Sequence, residues 1–210
     1  MRSGLTVNAR VGFGLRRGVG RGKTNRVSDE PLMGYVALGA NLGDAAGALR
    51  LAAVEITGWS LGQALGSSLW RTKPVDCPPG SPPFLNAALG LEPKPGATPE
   101  SLLDDLLALE ARLGRTRSGL ANAPRVIDLD LIAFGKETRH TPMLTLPHPR
   151  AHERAFVLAP LAEIAPKLVL PGQQKNVAEL LPTLGQAEVT KTDQRLVQPS
   201  ILPPGLRRFS

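Results

Sequence analysis

The chain has 210 residues, 42% of them apolar and 4% aromatic, which is length enough for one domain with a proper core. No run of about 18 apolar residues occurs, which argues against a spanning helix. The single cysteine, Cys77, rules out an internal disulfide and points to a reducing compartment, the cytoplasm. The net charge of +7 suggests a nucleic-acid partner until it is located: residues 1–28 carry seven bases and no acid, which leaves 18 bases against 18 acids in residues 29–210. The basic excess belongs to the leader, so no nucleic-acid face is expected on the folded part.

Residues 1–32 mix arginines with glycines and lack a sustained apolar period, so they are read as a disordered basic arm. A mitochondrial-type targeting peptide and a native start at Met33 are the alternatives. The arm holds a false phosphate loop, Gly18-Val19-Gly20-Arg21-Gly22-Lys23-Thr24. The G-x-x-x-x-G-K-T spacing needs a glycine at 17, where Arg17 stands, and no strand and helix flank it.

The folded part is placed at 33–189. It opens with a short strand, Gly34 to Ala40, followed by a turn in which Asp44 is an N-cap. Leu49, Ala52, Ala53 and Ile56 at helical spacing predict a helix over 45–57. Ser60 to Thr72 reads as a second strand, and Phe84 to Glu92 as a third after a proline-rich loop. Thr98 and Pro99 start a helix whose apolar side is Leu102, Leu106, Leu109 and Leu113, with Gly114 ending it. A polar loop leads to Pro124 to Gly135, whose β-branched and aliphatic residues predict the fourth strand. Beyond it come an apolar helix over 154–164, a short helix over 176–184, and a loose tail at 190–210. The order βαββαβ predicts an α+β fold, a ferredoxin-like antiparallel sheet with added C-terminal helices, one sheet face being left free for a site.

The fourth strand carries the chemistry. Alternation puts Asp128 and Asp130 on one face, roughly 7 Å apart, with Ile127, Leu129, Leu131 and Ala133 on the other. Their repulsion is about 2 kcal/mol at an effective dielectric near 20, and a divalent cation between them would turn that into attraction. A solvated strand face is the plain alternative. Arg115, Arg117, Arg125, His148 and Arg154 lie in flanking loops, and each alone would be an ordinary surface residue. Together with two carboxylates they suit phosphoryl transfer with Mg2+, which needs only one or two protein carboxylates.

At four separated motifs the chain resembles the 6-hydroxymethyl-7,8-dihydropterin pyrophosphokinase family of folate biosynthesis. These are Tyr35 to Asp44; Ser67 to Thr72 with Phe84 to Ala88; Pro124 to Asp130; and Leu146 to His148 with Arg154 to Leu161. The resemblance implies a magnesium-dependent diphosphotransferase that moves diphosphate from ATP to the hydroxymethyl group of the pterin and releases AMP. It implies two Mg2+ ions on Asp128 and Asp130, with Arg115 and Arg125 neutralising the transferring group. Glu110, Arg117, Leu131, Leu144, Thr145, His148 and Arg154 fall on the ATP side. Thr72, Val75, Phe84, Asn86, Asp128 and Phe156 fall on the pterin side, with Phe84 and Phe156 stacking on the ring. Without the resemblance these two would be read as core residues, Asn86 as a strand-edge amide and Glu110 as a helix-surface acid. The partners implied are the two small molecules alone, with no nucleic acid or membrane, and the chain is expected to be a monomer. Asn122, Ala123 and Lys73 depart from the family's usual residues. The loops at 73–83 and 115–123 are read as lids that order when both substrates bind. A different D-x-D transferase acting on a nucleotide sugar, and a ferredoxin-like binding module, are the competing readings.

Overall fold

The computed structural model describes residues 32–74, 77–116, 123–185 and 188–197. The arm at 1–31, Val75, Arg117, Asn122 and residues 198–210 lie outside the described residues. The main elements run β1 (Gly34–Ala40), α1 (Ala45–Thr57), β2 (Leu65–Gly66), β3 (Ser68–Thr72), β4 (Phe84–Leu91), α2 (Pro99–Arg112) and β5 (Asp128–Phe134). They continue with β6 (Arg139–His140), β7 (Thr145–Leu146), α3 (Ala155–Ile164), α4 (Val177–Leu180) and β8 (Val189–Arg195). Among the described residues no helix is long and apolar enough to cross a membrane.

The sheet runs β5-β1-β4-β3-β8, with β2 also paired to β4, and its pairings are antiparallel. With β2 and β3 counted as one strand broken near Ser67, the first four follow the 4-1-3-2 order of a βαββαβ unit. Both helices of that unit begin where the sequence provides a cap. Asp44 accepts from the Gly47 N–H at 2.9 Å, and Thr98 forms a reciprocal box with Ser101 behind Pro99. Gly114 then takes φ +87, a conformation that stops α2 without Cβ strain.

Alternation along the strands divides the apolar residues between two layers. Val36, Leu38, Leu89, Leu129 and Leu131 pack against Leu49, Ala53 and Ile56 of α1 and Leu102, Leu106 and Leu109 of α2. The opposite face contributes Ala88, Ile132 and Ala133 to a second layer with Val157, Leu158 and Leu161 of α3 and Val177 of α4. That face was expected to be free for a site; α3 and α4 cover part of it. A register shift explains one further difference. Tyr35 pairs with Ala133 and Val36 with Leu131, so Ile132 is an extra residue in β5. The bulge sends Ala133 to the α3 face, away from Leu129 and Leu131 with which simple alternation grouped it.

Two other expectations change. The fourth strand is shorter than read, beginning at Asp128, which places both aspartates at its mouth. Part of the expected loose tail is ordered: Val189–Arg195 forms the edge strand β8 beside β3. Its sequence, VTKTDQR, lacks an apolar period, and the strand is held by pairing with β3 and by polar contacts, among them one to a carboxylate of α3. Glu163 of α3 accepts from the Ser68 N–H at 3.1 Å, the Ser68 hydroxyl at 2.9 Å and Trp70 Nε1 at 3.2 Å. It also pairs with Lys191 of β8 at 3.1 Å, so one side chain joins α3, β3 and β8.

Burial pushes the Glu163 carboxyl up, but the Ser68, Lys191 and Trp70 hydrogen bonds outweigh it and leave the group below its ordinary value. A carboxyl with a lowered folded value stabilises the fold above its unfolded value, and the gain is lost as pH falls through the folded one. Glu163→Gln is expected to lose about 1–2 kcal/mol near neutral pH and to show a smaller loss of stability on acidification, both read from urea unfolding over a pH series.

Candidate active site

Three strands bring their ends together on the α3 face. Gly39 of β1 pairs with Asp128 of β5 on one side and with Asn86 of β4 on the other. A Cβ at Gly39 would lie 3.2 Å from Asn86 Oδ1 and 3.9 Å from Asp128 Cβ, so glycine keeps the space between carboxylate and amide open. Asn86 is buried and donates from Nδ2 to Thr72 Oγ1 at 2.8 Å, which fixes the amide's orientation.

Asp128 sits between two guanidinium groups, with Arg115 Nη1 at 2.5 Å and Arg125 Nη1 at 2.6 Å. Each is itself positioned. Arg115 also pairs with Glu110, which is 2% exposed and accepts the Leu129 N–H at 2.7 Å. Burial pushes the Glu110 carboxyl up and the Asp128 charge adds to this, while the Leu129 hydrogen bond and Arg115 oppose it. Glu110 therefore ties the end of α2 to the start of β5. Arg125 is anchored through its backbone, its N–H donating to Asn41 Oδ1 at 2.8 Å and its carbonyl accepting from the Asn41 N–H at 3.1 Å. Asn41 Nδ2 reaches Pro82 O at 3.2 Å. Sequence reasoning placed Asn41 in a turn and missed this linking role; its 6% exposure is what distinguishes it from a turn amide.

Asp130 lies two residues further along β5 than Asp128, on the same face. Burial pushes its carboxyl up to about 6, the Asp128 charge adds to this, and Arg154 and Arg115 pull the other way. Burial likewise lowers Arg154, with Arg150 beside it adding to the effect and the two aspartates opposing it. The Arg154 guanidinium stands 5.5 Å from the Phe156 ring centroid, within cation–π range. The His148 N–H donates to Ile132 O at 2.9 Å and its Nδ1 accepts the Arg150 N–H at 3.3 Å. Burial and then Arg154 push the His148 imidazole down, so near neutral pH it is uncharged with its proton on Nε2.

Two cavities meet at this cluster. The larger, about 660 Å³, is lined by Thr72, Phe84, Asn86 and Phe156. The smaller, about 330 Å³, is lined by Glu110, Leu131, Leu144 and Thr145. Arg115, Asp128, Asp130 and His148 line both. The sequence-named groups thus converge, except Val75 and Arg117, which lie outside the described residues. Lys73, noted in the sequence as a departure in the 73–83 loop, also lines the larger cavity, as do Arg150, Glu188 and Val189, which were not anticipated. Among the described residues no cluster of three or more acids, histidines or cysteines could hold a metal, so any cation here would rest on the aspartate pair.

The model of the 7,8-dihydro-6-hydroxymethylpterin-pyrophosphokinase (HPPK) family matches residues 35–166. The chain belongs to this family. It is therefore a pyrophosphokinase, a diphosphotransferase of folate biosynthesis. It is 39% identical over 161 residues to the 2-amino-4-hydroxy-6-hydroxymethyldihydropteridine pyrophosphokinase of Methylorubrum extorquens, covering 76% of this chain and 98% of that one. The Bacillus subtilis enzyme of the same name is 41% identical over 138 residues, covering 62% of this chain and 76% of its own length. In fold, the chain is similar to a Plasmodium falciparum HPPK-DHPS crystal structure with pterin and p-hydroxybenzoate, at TM-score 0.55 and 14% identity. That match covers 73% of this chain and 43% of the solved one, so the chain spans less than half of that protein.

The raised Asp130 value carries a signed consequence. The folded protein holds this proton more tightly than the unfolded chain, whose value is near 3.8. The cost of ionising Asp130 is thus absent below about pH 4, grows to about pH 6 and is complete above it. In chelator-treated protein, Asp130→Asn is expected to be more stable than wild type at about pH 8, with the difference shrinking by about pH 4. Urea unfolding of both proteins at the two pH values checks it.

Proposed function

We propose that the chain transfers diphosphate from ATP to the hydroxymethyl group of 6-hydroxymethyl-7,8-dihydropterin, releasing AMP, with Mg2+ as the cofactor. The observation that carries this reading is the aspartate pair standing where two cavities of different character meet. The larger has a fixed amide, a hydroxyl and two phenyl rings, a set suited to a flat polar heterocycle. The smaller is bounded by leucines and a threonine and suits a purine.

The aspartates fit a divalent cation. They share one face, one is driven towards its protonated form by burial and by its neighbour, and among the described residues neither has a third protein acid to complete a cage. Mg2+ prefers such a pair, taking its remaining oxygens from phosphate and water. Asp128 and Asp130 would hold two such ions, and bound there they would supply positive charge to the attacking and leaving oxygens. The chain's own side chains do the remainder. Arg115 and Arg125 neutralise Asp128 in the free protein and would turn to the diphosphate oxygens once a cation takes that place. Arg154 and the uncharged His148 add a cation and an N–H donor on the phosphate path. Phe84, Phe156 and Asn86, with Thr72 behind the amide, hold the acceptor ring.

Incubation with ATP, Mg2+ and hydroxymethyl-dihydropterin should yield AMP, and no AMP would end this reading. Asp128→Ala and Asp130→Ala are each expected to lower turnover by about two to three orders of magnitude with the fold retained; near-normal turnover in either removes the metal assignment. Arg125→Ala should slow single-turnover chemistry about a hundredfold while changing ATP affinity only a few-fold, because its charge acts on oxygens that gain charge in the transition state. A loss confined to affinity would refute that role.

A further inference from the structure

The family match ends at residue 166, yet the wall of the larger cavity continues past it. Leu184, Glu188 and Val189 line that cavity together with Thr72, Phe84 and Asn86. The topology accounts for this. Val189 pairs with Thr72, and Thr72 pairs with Phe84, so β8 extends the cavity floor by one strand beyond Thr72 and two beyond the amide and the aromatic ring. Alternation puts Val189 and Lys191 on the α3 face, where Lys191 meets Glu163, and Thr190 on the opposite face.

β8 is secured from both sides. Arg50 of α1 donates to Gln194 Oε1 at 2.8 Å, and Thr192 Oγ1 donates to Leu69 O at 2.8 Å on one side. Lys191 pairs with Glu163 at 3.1 Å on the other. At the start of β8, Glu188 pairs with Lys73, the first residue of the loop that follows β3, and both side chains line the cavity. This pair is well exposed, so it adds little to global stability. What it does is local: it joins the segment after β3 to the strand that closes the same end of the cavity.

We propose that β8 is part of the acceptor site: Val189 and Leu184 form the apolar end wall against the flat ring, and the Lys73–Glu188 pair ties that wall to the end of β3. The proposal rests on the pterin reading above and names the residues that set how the ring is bounded. The wall makes no contact with the smaller cavity, so it acts on the acceptor and not on the nucleotide.

The test uses the full chain, with AMP formation followed as hydroxymethyl-dihydropterin and ATP are varied in turn. Val189→Asp places an unpaired charge in an apolar wall and is expected to raise KM for the pterin about tenfold or more, with KM for ATP within about twofold. Thr190→Asp puts the same charge on the other face of β8 and should leave both constants unchanged. Lys73→Met and Glu188→Gln should each raise the pterin KM about two- to fivefold without lowering the melting temperature, and the double variant should be no worse than either single one. If Val189→Asp does not fold, Val189→Ala serves, with a smaller rise of about threefold still confined to the pterin. A wild-type pterin KM in the Val189 variant, an equal effect from Thr190→Asp, or equal changes for pterin and ATP would each overturn the wall. Wild-type protein that makes no AMP would overturn the reaction and the wall with it, whereas normal wild-type turnover with unaltered variants would overturn the wall alone.

Discussion

Two carboxylates on one face of a strand, partly withdrawn from water, require positive charge around them, and the organisation of this site follows from that requirement. The free protein meets it unequally. Asp128 takes both neighbouring guanidinium groups, while Asp130, further along the face, lies within reach of Arg154 and is driven towards its protonated form. The asymmetry leaves one acid satisfied by protein and one acid whose ionisation favours an added cation. A site in which both acids were equally well paired would gain less from binding one.

The same requirement explains why the supporting residues are buried and polar. Glu110 would be an ordinary surface acid on α2 if α2 did not end beside the mouth of β5. There it accepts a backbone N–H from Leu129 and a guanidinium proton from Arg115, so moving it would displace both the strand and the cation next to Asp128. Asn41 does the corresponding work for Arg125 through a pair of backbone hydrogen bonds. Each arginine is held by a second residue, which restricts the orientations it samples before substrate arrives and lowers the entropy lost on binding.

Much of this could be read from the sequence, and the parts that could not share a cause. Caps, glycine stops and apolar periods located α1, α2 and the four central strands because those signals are local. The aspartate pair was legible because alternation along a strand is itself local. The bulge at Ile132 was not, since an extra residue shows only when the partner strand is known, and it sent Ala133 to the other face. β8 was hidden because its polar sequence is stabilised by Glu163, Arg50 and pairing with β3, all distant in the chain. Cavity-lining Glu188 and Val189 were missed with it. The named site residues needed the resemblance to the family, because a lone phenylalanine or asparagine on a strand reads equally well as packing.

Strand spacing sets the length of the larger cavity. Asp128, Gly39, Asn86, Thr72 and Val189 come from β5, β1, β4, β3 and β8, which are successive neighbours in one sheet. Strands stand about 4.8 Å apart, so the aspartate and the amide are separated by about 10 Å and the full row spans about 19 Å. Loops can cover such a row or leave it open, but they cannot alter its length. A glycine at the second position keeps the carboxylate and amide ends continuous, and a valine at the last gives the row an apolar end. The distance between the aspartate end and the amide and aromatic end is therefore a property of the sheet, and it depends on the same hydrogen bonds that hold the fold.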